Sequence, residues 1–177
     1  TSIRRSAGMR QAVAEAGDVV LDQEVFAAWR HDKAAEQSEW LYLRYPGARL
    51  IWSGNDLMAF GAIESWEKRG GKAGQDAWFS GINTSAKAME MLKSGRLTAL
   101  AGGHFIAGAW ALVLIHDYAK GKDFASEGLE LNQSMFTLFT PSEVERYQER
   151  FGQMNFDSID FRRYSKVHNP KLARYNF

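Results

Sequence analysis

Short apolar runs alternate with longer helical patterns along this chain, and that alternation admits few architectures. Ala48 to Trp52 (ARLIW), Ala77 to Ile82 (AWFSGI), Leu97 to Ala101 (LTALA) and Met135 to Thr140 (MFTLFT) read as strands, the first as one buried on both faces. Asp18 to Phe26 (DVVLDQEVF) is a further short β-rich run. Ile3, Ala7, Met9, Ala12, Val13 and Ala16 recur at helical spacing behind the N-cap types Thr1 and Ser2, with Gly17 as the stop. His31 to Tyr45 is a second helix, closed by Pro46-Gly47. Asp56 can cap a third, in which Met58, Ala62 and Trp66 form an i, i+4 row ended by Gly70-Gly71. Thr84 or Ser85 caps a fourth through Lys93, Ala107 to Lys120 is a strongly apolar fifth, and Pro141-Ser142-Glu143 begins a sixth. Strands joined through helices require right-handed crossovers. The predicted fold class is therefore α/β: a three-layer, mainly parallel sheet with helices on both faces. Gln153 to Phe177 has no clear period and reads as a wrapping extension. The expected organisation is one lobe over residues 1–140, followed by a helix and tail over 141–177.

Composition removes several function classes. The 177 residues are about the size of one domain. Lys plus Arg number 22 against 21 Asp plus Glu, a net charge of +1, so no global field draws the chain to nucleic acid or an anionic membrane. With no Cys, thiolate zinc sites, iron–sulfur clusters and Cys nucleophiles are excluded. The longest apolar stretch, Phe105 to Ile115, falls short of the roughly 20 residues a bilayer span needs. His31, His116 and His168 lack metal-ligand spacing and are read as structural or surface residues. Gly102-Gly103 lacks the G-x-G-x-x-G pattern of a dinucleotide site. The basic-aromatic run Arg162 to Lys166 reads as a solvated strap. No catalytic residue, metal site or cofactor is predicted.

In an open parallel sheet, ligands bind beyond the carboxyl ends of the strands. The loops there hold Trp29, Ser53-Gly54-Asn55-Asp56, Asn83 and Gly102-Gly103-His104. None forms a nucleophile–base pair. They suit a sugar instead: amide, carboxylate and guanidinium groups fix hydroxyls by paired hydrogen bonds, and the C–H face of a sugar ring packs on a flat aromatic. Trp29, Asn55, Asn83 and Arg5 fit that task, and His104 is a further candidate contact. Each also has a plainer reading. Trp29 can be a core or rim aromatic, Asn55 and Asn83 turn residues, Arg5 a solvated helix charge and His104 a loop histidine. Asp56 is read simply as an N-cap.

Four segments carry a family resemblance. Leu50 to Ile63 (LIWSGNDLMAFGAI) resembles an apolar strand followed by A-N-D-x-M-A-x-G-A. Ser2 to Met9 (SIRRSAGM) resembles S-x-x-R-x-x-G-F, Phe79 to Ala88 (FSGINTSAKA) resembles V-G-F-D-G-T-P-E-A, and Ala88 to Ala101 (AMEMLKSGRLTALA) resembles A-I-K-x-G-x-L-T-A-T-V. In this order they are similar to the second lobe of type I periplasmic solute-binding proteins, the ribose/galactose class that serves ABC importers and some chemoreceptors. The resemblance covers Thr1 to about Lys122.

It implies a solute binder rather than an enzyme, periplasmic, with a sugar-like solute held between two lobes. An ABC transporter permease or membrane receptor would be its partner, and no nucleic acid would be bound. Arg5 would be the ligand-binding arginine, Trp29 the aromatic stacked on the ring, and Asn55 the amide of the A-N-D motif. Asn83 stands where the family carries Asp, a departure that removes a charge. Gly103-His104 stands where Gln or Asn is frequent. The segment 105–122 corresponds to a helix that packs on the first lobe, so Trp110, Leu112, Val113 and Ile115 are expected to lose cover. The start at Thr1 without Met reads as a cut piece of a longer polypeptide, whose missing N-terminal lobe or a second copy would supply that cover. Other readings are a signalling receptor's sensory domain of quorum-signal or chemoreceptor type, the effector domain of a lac-repressor-type regulator, and an α/β enzyme. The last is disfavoured because no G-x-S-x-G, phosphate loop or carboxylate dyad stands at the strand ends.

Overall fold

The computed structural model describes residues 2–128, 130–131, 133–152 and 156–177, so Thr1, expected among the N-cap types, and Gln153, the expected start of the tail, lie outside the described residues. The helices follow the sequence pattern closely: Ser2–Ala16 (α1), His31–Arg44 (α2), Asp56–Lys68 (α3), Ala86–Lys93 (α4), Ala107–Ala119 (α5) and Val144–Phe151 (α6). The strands are Leu50–Trp52 (β1), Trp78–Ile82 (β2), Ala99–Gly102 (β3) and Thr137–Phe139 (β4), in the sheet order β1-β2-β3-β4. The pairs β1–β2 and β2–β3 are parallel, with Ile51 opposite Phe79 and Gly81 opposite Leu100. This is the expected α/β class, a parallel-dominant sheet with helices on both sides.

The residues group into two compact units, Thr1–Gly102 with Leu138–Val144, and Gly103–Thr137 with Glu145–Phe177, a grouping different from a cut at residue 140. In the first unit, Ile63, Phe79, Met89, Leu92, Leu97 and Leu100 are almost completely buried. Helices α2 and α3 meet closely because Gly61 has no side chain; a Cβ there would stand 2.3 Å from the carbonyl oxygen of His31. Tyr42 reinforces the contact, donating to the Ala62 carbonyl at 2.9 Å and meeting Trp66 edge-on at 5.0 Å.

Two strand expectations are corrected. Residues 18–26 form no strand. They run irregularly, tied to α1 by the Arg10–Glu24 ion pair, while Val20 and Phe26 stand exposed. β-branched residues make a strand only where they pair with a sheet edge, and this run pairs with none. The β1 strand is not buried on both faces: it ends the sheet order, and Leu50 is 63% exposed.

In the second unit a 3-10 turn, His104–Ile106, leads into α5. Trp110, Val113 and Asp117 are buried on one face of that helix, whereas Leu112, Ile115 and Tyr118 are exposed on another. The tail covers the first face. Phe177 stacks on Trp110 at 4.9 Å, and Phe161 and Tyr164 meet it edge-on at 5.1 and 4.7 Å. The expected loss of cover is therefore confined to Leu112 and Ile115. Nor is 162–166 a solvated strap: Arg162 and Arg163 face solvent, but Ser165 is buried and the Lys166 side chain is 14% exposed. The reason is Asp117, a fully buried carboxylate that accepts from Ser165 Oγ, the Lys166 backbone N–H, Tyr175 Oη at 2.9 Å and His116 Nδ1 at 3.1 Å. A buried charge must be paired in this way, and donors from both ends of the segment draw the tail inward. His116 and His168 stack at 5.2 Å beside this hub, and His31 pairs with Glu64 at 3.1 Å.

Candidate functional site

The β1 strand ends in the turn Ser53-Gly54-Asn55, and there the first unit assembles its polar and aromatic groups. Gly54 sits among side chains: a Cβ there would lie 3.1 Å from Met58 Cε, 3.4 Å from Trp29 Cζ3 and 3.7 Å from Trp52 Cη2. Arg5, reaching over from α1, donates Nη1 to the Gly54 carbonyl and lays its guanidinium over the Trp29 ring, 5.3 Å from the centroid. Burial lowers the Arg5 pKa, and the charge of Asp56 opposes that shift. Trp29 itself is 38% exposed. An indole held from one side by a cation and open on another can take a ring against its free surface.

The turn's two polar residues exchange the expected roles. Asn55, not Asp56, is the N-cap of α3: its Oδ1 accepts from the Met58 backbone N–H at 2.8 Å. Its Nδ2 reaches the Trp29 carbonyl at 3.4 Å, leaving a second amide hydrogen to give. Asp56 follows as the first residue of the helix, buried, its Oδ1 accepting from Leu57 N–H at 3.0 Å and from Asn83 Nδ2 at 3.0 Å. Asn83, past the end of β2, also donates its backbone N–H to the Ala101 carbonyl at 2.9 Å. Arg5 and Trp29 thus meet directly, Asn55 touches Trp29, and Asn83 is joined to the group through Asp56.

Backbone conformation singles out the same residues. Among the described residues, Ala28, Trp29 and Asn83 are the non-glycine positions with positive φ, at 49°, 62° and 97°. Asn tolerates that region, but Ala and Trp do not adopt it without cost, and such strain gathers where a side chain must be aimed. His104 belongs to the second unit, its ring stacked on Phe136 at 4.5 Å. The residues that sequence reasoning passed over are Trp52, which borders Gly54, and Asp56, read as a cap but bound to Asn83 instead. Their signal was a Trp closing the strand and a carboxylate directly after an Asn at a strand end.

The cluster offers a flat indole, a guanidinium, two amides and one carboxylate. Among the described residues no group of three or more His, Cys, Asp or Glu could hold a metal ion, and no helix is long and apolar enough to cross a membrane. Hydrogen bonding and ring packing are the chemistry these groups can perform.

A family model described as periplasmic binding protein domain matches residues 1–123. A crystal structure of a periplasmic sugar-binding protein from Pseudomonas fluorescens is similar at 40% identity over 96% of this chain and 52% of that one, with a TM-score of 0.85. The periplasmic binding protein of the arabinose ABC transporter from Shewanella sp. ANA-3, bound to alpha and beta-L-arabinofuranose, shares the fold at 23% identity, TM-score 0.70, over 85% of this chain and 50% of that one. So does an ABC transporter solute-binding protein from Bacillus halodurans C-125 with bound myo-inositol, at 23% identity and TM-score 0.68, over 83% and 49%. The chain spans about half the length of these structures. No curated protein matches it.

Proposed function

Because the chain belongs to the periplasmic binding protein domain family, we propose that it forms one wall of a two-lobed receptor that binds a small neutral sugar for ABC-type import. It acts in the periplasm, delivers its solute to a membrane permease, and catalyses no reaction. The observation that carries this reading is the meeting of Arg5, Trp29, Gly54 and Asn55 at one strand end, with Asn83 tied in through Asp56. Likeness to a sugar-binding protein at 40% identity supports it. The exposed α5 residues Leu112, Ile115 and Tyr118 suit cover by the other lobe or a second copy of this chain.

The mechanism is a population shift. The sugar ring lies on the Trp29 indole, hydroxyls accept from Arg5 and from the remaining Asn55 amide hydrogen, and contact with both walls favours the closed state. Titration calorimetry of the full-length, two-lobed protein with neutral monosaccharides tests this. Trp29→Ala weakens binding by about 1–3 kcal/mol, the loss of a buried aromatic contact. Unchanged affinity removes Trp29 from the site, and no binding by the unaltered protein defeats the reading.

A further inference from the structure

Asn83 is itself gripped by a charged group. Its Nδ2 stands 3.0 Å from Asp56 Oδ1, and a carboxylate only accepts, so chemistry alone decides which end of the amide faces inward. Asp56 is well placed to hold it. It is 4% exposed, its Oδ1 also accepts from Leu57 N–H, and the first turn of α3 favours a negative charge there. The Asn83 backbone is fixed as well, by its bond to Ala101 and by a left-handed φ of 97°. With Nδ2 committed, Oδ1 is turned away from Asp56, and no described residue donates to it.

Resting on the sugar-binding reading, we propose that Asp56 is a positioning residue that locks the Asn83 amide with Oδ1 toward the guest. The site thereby asks for a neutral ligand whose hydroxyl donates a hydrogen bond at that point. The amide supplies a carboxylate's acceptor without its charge, and the single negative charge of the cluster stays behind it, facing Arg5. An acidic sugar gains nothing at this position. A hydroxyl that can only accept there meets an oxygen.

The test uses the full-length, two-lobed protein and whichever of L-arabinose, D-galactose, D-ribose and myo-inositol binds it most tightly, with that ligand's monodeoxyfluoro analogues. In the unaltered protein, fluorination of the hydroxyl facing Asn83 weakens binding about tenfold, because fluorine accepts but cannot donate. Asp56→Ala removes the acceptor, lets the Asn83 amide turn over, and this penalty shrinks several-fold. Asn83→Asp sets two carboxylates against each other and weakens binding at least tenfold. A merely structural pair does not move the fluorination penalty. A full penalty in Asp56→Ala, or an Asn83→Asp variant that binds as tightly as the unaltered protein, overturns the proposal. Should the variants fail to fold, NMR of the unaltered protein decides. Sugar shifts the Asn83 carbonyl carbon and leaves the Nδ2 protons in place; the reverse pattern overturns the lock. If none of the four sugars binds, the sugar-binding reading falls and takes this inference with it. If one binds and the penalty stays full in Asp56→Ala, this inference falls alone.

Discussion

Asn55 serves the fold and the site with opposite ends of one amide, and the two duties can be separated. Asn55→Ala removes the bond to Met58 N–H and costs about 1 kcal/mol in urea unfolding, the usual loss of an N-cap. Asn55→Asp keeps that cap but deletes the Nδ2 donor to the Trp29 carbonyl and to the guest, so sugar affinity in calorimetry falls by more than stability does. Much of this cluster was legible beforehand, since Asn55 and Asn83 follow strand ends and Arg5 and Trp29 fit a resemblance. What could not be read was which residue capped α3. Asn and Asp are nearly equal N-caps, and the choice fell to Asp56 pairing with Asn83 across a sequence separation of 27. No local pattern tells, either, that the chain passes into the second unit after Gly102, just before His104.

Among elements, the joining of α5 and the tail is the feature local periodicity concealed. The tail's aromatic residues, Phe161, Tyr164, Tyr175 and Phe177, have no period because they fill a surface rather than line a helix face. The helices were easier to find: each has its own spacing, stop and cap, and Ser85 caps α4 through Ala88 N–H as expected. Residues 18–26 misled because β propensity states what a segment tolerates, not whether a neighbour awaits it. Trp110→Ala opens the aromatic layer under α5 and destabilises the second unit by about 3–5 kcal/mol in thermal unfolding. Acid acts on the same contact. Burial works to raise the Asp117 and Glu127 carboxyl pKa values, but hydrogen bonds from Ser165, Tyr175, His116 and Lys166 to Asp117, and from Lys166 and Tyr175 to Glu127, outweigh it and hold both low. Their stabilisation is complete above the unfolded carboxylate range and is lost as pH falls below about 4, toward the depressed folded values. Limited proteolysis with pepsin therefore releases the tail on acidification before α2 and α3 are cut.

For the molecule as a whole, a net charge of +1 and a neutral guest make affinity insensitive to salt. Calorimetry at low and high ionic strength returns the same constant within about twofold, whereas an anionic ligand would lose affinity as its attraction to Arg5 is screened. Were a second copy the cover of the exposed α5 stripe, Ile115→Glu would place a charge in it and reduce self-association in sedimentation velocity; were it the other lobe, sedimentation would not change. Tyr175 closes the hub on Asp117 from 58 residues away. The second unit is therefore fastened like a drawstring bag, by a knot far along the chain. A cut between Lys166 and Tyr175 would undo that unit while sparing the sheet of the other. Its lifetime would then be set by how well one short stretch resists cleavage, not by the strength of its core.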